Sequence, residues 1–244
     1  MSSGCIGWPP SRRPHLRGFT IALAAGILPL GGQTAAGRSG QSQIEPRWTF
    51  CVQVYNSAAA APGTLANAVK VSGSVLAAAR IPTEWHTSAA ERAEDSKTSR
   101  PSFYAPETPD RPGCLTLSIV RGASPYASTE ALGFVMPNRQ SSPAITIFYD
   151  RIEQIEMQEV SGSASLAQIL GYAIAHEIGH VLLGSTQHSV NGIMRGPWTQ
   201  IEFERMAKGW LGFTTQQSAV MRERAFMRAA LQSAQTKSKS QPRY

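Results

Sequence analysis

The sequence predicts one mixed α/β domain of the α+β kind: a small mixed sheet, a central apolar helix and further helices at the C-terminal end. Three observations lead there. Short β-branched and aromatic runs fill the first two thirds of the chain. One long helical stretch, Leu166 to Leu183, is apolar almost all round. Two helical patterns follow it and no strand does. With 244 residues the chain can bury a full single core.

The elements follow in order. Trp48 to Tyr55 (WTFCVQVY) reads as the first strand. Pro62-Gly63 opens a helix to about Arg80, and Ile81-Pro82 ends it. Residues 87 to 112 are charged and Pro-rich without periodicity, so a long loop is expected. Leu115 to Val120 alternates as a half-buried strand does, and two short strands follow at Ala131–Met136 and Ala144–Tyr149. Asp150 is a candidate cap for a short helix from Arg151 to about Gln158. Ser165 and Gln168 have capping-box spacing at the head of the central helix, and Gly184 stops it. Helices are expected from about Thr199 to Lys208 and from about Thr215 to Gln232.

The N-terminus reads as an export signal over residues 1–36. Arg12, Arg13 and Arg17 precede the apolar run Phe19–Leu30, and Thr34-Ala35-Ala36 supplies small residues for cleavage. The run is too short to span a bilayer, so the processed chain is not expected to cross a membrane. The Arg12-Arg13 pair is compatible with twin-arginine export as well as with ordinary secretion. Residues 37–46 read as a linker, 47–233 as the domain and 234–244 as a disordered tail. The expected location is secreted or periplasmic. There Cys51 and Cys114 can form one disulfide; two separate buried thiols are the alternative.

The net charge of +7 falls to +4 without the three signal arginines, and to +1 without Lys237, Lys239 and Arg243. No basic patch with interleaved aromatics remains, so nucleic acid is not an expected partner. A peptide or protein substrate and a monomeric state are expected.

The chemistry lies on the central helix, in His176-Glu177-Ile178-Gly179-His180. Histidines four apart project from one face of one turn, so both imidazoles can reach a single ion. Zinc suits them, because it takes nitrogen ligands in tetrahedral geometry. Glu177 can take a proton from a metal-activated water and deliver it to a leaving amine. A chance occurrence of this pattern has a probability below about one in a hundred, which sets aside the reading of these groups as satisfied core residues. A third ligand is needed. His188, just past Gly184, is the candidate; Glu202 and Glu204 are oxygen alternatives, and His86 beside Trp85 reads as packing.

This stretch resembles the metzincin clan of zinc metallopeptidases, with a matrixin-like core. The resemblance rests on His176 through His188 (HEIGHVLLGSTQH), on Gly192-Ile193-Met194 as a Met-turn, and on Ala131–Pro137 followed by Ala144–Asp150 as edge strand and next strand. It covers roughly residues 48 to 210, and it is specific only in its central part. It implies a zincin-like domain, a zinc-dependent endopeptidase with Glu177 as general base and acid, a hydrophobic floor at Met194, and substrate extended along Leu132–Met136. The chain departs from the clan in spacing. Three residues, not two, separate His180 from Gly184, and three separate Gly184 from His188. No tyrosine follows Met194. Trp198 is expected to pack. The alternatives are a zinc peptidase with a glutamate third ligand, or an inactive zinc-stabilised binding protein.

Overall fold

In the computed structural model, the described residues are 48–89, 113–122, 124–125, 127, 131–136, 143–158 and 163–240, with side chains to Leu231. The expected signal, linker and most of the long loop lie outside them.

The chain forms a five-stranded sheet in the order β2-β1-β3-β5-β4. β1 (Phe50–Asn56), β2 (Thr83–Ala89), β3 (Leu115–Val120) and β5 (Ala144–Phe148) are parallel; β4 (Gly133–Met136) runs antiparallel to β5 at one edge. β1 and β3 are central, and their Val52, Val54, Leu117 and Ile119 are fully buried. Parallel neighbours need a crossover, and α1 (Pro62–Ala78) supplies it between β1 and β2. Pro62 opens α1 as expected.

β2 is the element the sequence reading lacks. Thr83–Ala89 falls partly in the expected loop, yet Thr83, Trp85 and Thr87 alternate with Glu84, His86 and Ser88. That period is short and polar, so the sequence shows it weakly; the backbone bonds of β1's outer edge complete it. Cys51 and Cys114 continue the β1–β3 register, with Cα atoms 4.7 Å apart, and they are disulfide-bonded.

α2 (Tyr149–Gln158) begins directly at the end of β5, so Asp150 sits inside its first turn and does not cap it. α3 (Leu166–Leu183) packs against α1, α2, α5, β4 and β5. Its length and hydropathy would also suit a membrane span, but it is the buried centre of this domain. Ser165 and Gln168 form the expected capping box, worth about 1 kcal/mol. Gly184 ends α3 at φ 58°, a conformation that a Cβ disfavours. α4 (Gln200–Ala207) and α5 (Thr215–Ser240) follow. α5 continues beyond the expected end near Gln232, because no glycine or proline interrupts it before Pro242.

Candidate metal centre

α3 carries His176, Glu177 and His180 side by side, all buried. Each histidine spends one ring nitrogen on a backbone carbonyl. Nδ1 of His176 lies 2.7 Å from the Ile193 carbonyl oxygen, and Nδ1 of His180 lies 2.7 Å from that of Ser185. A carbonyl only accepts, so each Nδ1 carries the hydrogen and each Nε2 is left with a lone pair. Those two Nε2 atoms face each other at 3.0 Å.

Two lone pairs at that distance repel, and a proton between them would relieve the repulsion. Burial opposes that proton. It lowers the pKa of His176 to about 3, with His180 and His188 adding to the effect and the Ile193 carbonyl opposing it. His180 is also pushed down by burial, against the Ser185 carbonyl. A divalent cation satisfies both lone pairs. Two nitrogens at about 2.0–2.1 Å from zinc in tetrahedral geometry stand roughly 3.3 Å apart, near the spacing found.

His188 completes the set. Its ring centroid lies 5.2 Å from that of His176 and 5.1 Å from that of His180. One ligand atom from each histidine falls within 4.8 Å of the other two. Burial lowers the His188 pKa as well, so three neutral donors converge. The His188 ring rests on Gly196, where a Cβ would come 2.9 Å from its Cγ. The donor set therefore fits a metal ion.

The turn after His188 packs against α3. Ser189 N–H donates to the Met194 carbonyl, and Ile193 N–H donates to that of Gly212. Met194 is buried, with its sulfur packed against the backbone of Gly179; a Cβ at Gly179 would lie 2.5 Å from that sulfur. Met194 is thus buried against α3, as core packing and the expected floor alike require. Trp198 packs edge-on against His176 at 5.5 Å between centroids, and its indole N–H shares the Ile193 carbonyl with His176. Trp198 packs, as expected. The two carbonyls that orient the histidines carry no side-chain signature, so residue patterns could not point to them.

The alternative ligands lie elsewhere. The buried Glu202 carboxylate accepts from Thr199 N–H, Thr199 Oγ and Arg195 Nη1 at 2.6–2.9 Å. It caps α4 and ties down Arg195, the residue after Met194. Those bonds hold its pKa down against the opposing effect of burial, which is the largest single influence. Glu204 is exposed on α4, and His86 sits on β2 beside Glu84. None of the three belongs to the histidine cluster.

Glu177 is buried next to the first histidine, and burial raises its pKa to about 8. Its side chain lies under β4: a Cβ at Gly133 would come 2.9 Å from the Glu177 Cγ. The site thus holds three neutral nitrogen donors, one carboxyl group and a strand edge close above it. No family model matches this chain, and no curated protein matches it.

Proposed function

We propose that the protein is an exported zinc-dependent endopeptidase of the metzincin type. His176, His180 and His188 hold the metal, and Glu177 acts as general base and then general acid. One observation carries the reading: two imidazoles whose Nδ1–H groups are spent on carbonyls point bare Nε2 atoms at each other, with a third histidine alongside.

Zinc bound there supplies Lewis acidity, lowering the pKa of a water molecule and polarising a peptide carbonyl. The protein's own part falls to Glu177 and β4. Glu177 takes the proton from the attacking water, holds it, and releases it to the leaving amine nitrogen. Among the described residues β4 pairs only with β5, so its other edge can receive an extended peptide. The histidine spacing, the apolar floor at Met194 and the single antiparallel edge strand all agree with the metzincin resemblance. The Cys51–Cys114 disulfide agrees with export to an oxidising compartment.

The test compares the zinc-loaded protein with Glu177→Ala for zinc content and casein hydrolysis. Both should retain zinc, and the variant should lose about two to four orders of magnitude in rate. Equal hydrolysis by the two would refute the assignment. Zinc retention without turnover of any peptide would point to a zinc-stabilised binding protein.

A further inference from the structure

A cleft of about 620 Å³ lies beside the histidine cluster, between Val135 of β4, Pro143 just before β5 and the turn that ends α3. Val135, Pro143, Val181, Thr186 and Gln187 line it, with His180 at one side. Among the described residues that line it, none is Asp, Glu, Lys or Arg. A charged guest would therefore lose its hydration without gaining an ionic partner, whereas an apolar one loses nothing.

The backbone of β4 shows how a guest would reach this cleft. Phe148 N–H donates to the Leu132 carbonyl, 2.9 Å away, across the β4–β5 pair. Hydrogen-bonded and non-hydrogen-bonded pairs alternate along an antiparallel ladder. Leu132 and Phe134 therefore bond to β5, while Gly133 and Val135 turn their N–H and C=O groups to the opposite edge, which no described strand covers. Gly133 and Val135 also share one face of the strand. Gly133 abuts Glu177 on that face, and Val135 lines the cleft.

An extended peptide adding antiparallel to β4, the more stable pairing, would run from Val135 toward Gly133. Directly opposed residues put their side chains on the same face. The peptide residue opposite Val135 thus aims into the cleft, and the residue two positions later passes over Glu177.

We propose that this cleft selects the substrate, by taking one large uncharged apolar side chain on the N-terminal side of the cleaved bond. The proposal rests on the peptidase reading above and adds to it the class of substrate and the side of the bond that is read. The lengthened segment Ser185–Gln187 forms one wall, so the selectivity belongs to the part of this chain that departs from the metzincin spacing.

The test digests a proteome-derived peptide library with the zinc-loaded protein and reads the cut sites by mass spectrometry. Leu, Ile, Met or Phe should be enriched about tenfold or more over charged residues at one position preceding the cut. Thr186→Trp, an exposed substitution that narrows the cleft, should shift that preference to small residues while cleavage continues. Val135→Arg should replace it with a preference for acidic residues. Cleavage without enrichment before the cut, with enrichment only after it, or with enrichment that neither variant moves, overturns the cleft assignment and leaves the peptidase reading intact. No cleavage of any peptide overturns both.

Discussion

Removing the metal is the perturbation that reads the centre most directly. In the metal-free protein the His176 and His180 Nε2 atoms stand 3.0 Å apart as unprotonated acceptors, in a pocket that resists protonation. A ligand that binds only the folded state stabilises it by RT ln(1 + [L]/Kd), about 4 kcal/mol when free zinc is a thousandfold above Kd. For a domain of this size, each kcal/mol moves Tm by about 2–4 °C, so chelation should lower Tm by about 8–16 °C. Differential scanning calorimetry with and without a chelator measures this, and atomic absorption confirms the zinc content. His188→Ala leaves two donors and should lose most of the zinc-dependent shift. Glu202→Ala loses a helix cap worth about 1 kcal/mol but keeps the shift. Equal Tm values with and without zinc would refute the metal reading. A full shift in His188→Ala, lost instead in Glu204→Ala, would refute the ligand assignment.

Three further outcomes are expected. The metal-free protein should show a stability maximum in mildly acidic solution. The unfolded chain takes up histidine protons near pH 6.5 and folded His176 only near 3, so stability is lost as pH falls through that window. Folded Glu177 keeps its proton until about pH 8, so stability is also lost as pH rises from the ordinary carboxyl range; Glu177→Gln should flatten that alkaline limb in a Tm-against-pH series. Gly196→Ala puts a methyl against the His188 ring and should weaken zinc binding about ten- to hundredfold by competition with a chromogenic chelator, with the far-UV circular dichroism unchanged. Cys51→Ala with Cys114→Ala opens a crosslink spanning 63 positions, and loop-closure entropy sets the loss at about 4 kcal/mol by chemical denaturation.

The sequence is most legible where local rules decide the outcome. The i, i+4 histidines, the Ser165–Gln168 box and the Gly184 stop each depend on a single helical turn, and each lies where the pattern puts it. β2 is hidden because its polar alternation is completed by pairing with β1, a partner more than thirty positions earlier in the register (Gln53 beside His86). Glu202 shows the converse. Its type and its position after the histidines suit a metal ligand, but Thr199 stands three residues before it and claims it as a cap. Only the fold decides between two local roles open to one carboxylate.

The segment between His180 and His188 is where local rules stop and geometry must close the site. One added helical residue rotates the end of a helix by about 100°, which alone would carry the exit chain away from the metal face. The turn at Gly184 redirects it. Gly184 takes the left-handed conformation with its N–H on the His180 carbonyl, and Ser185 N–H also reaches that carbonyl. Ser185 then returns its own carbonyl to the Nδ1–H of His180. The loop that delivers the third histidine thus also fixes the tautomer of the second. Shortening it to two residues would take away that carbonyl or the reach of His188, so the helix end and the loop after Gly184 form one structural unit. A deletion of Thr186 alone should therefore weaken zinc binding more than a deletion of Thr186 paired with removal of Leu183, which shortens both sides of Gly184 together. Zinc affinities of the two deletion variants decide this, and equal losses would refute the coupling.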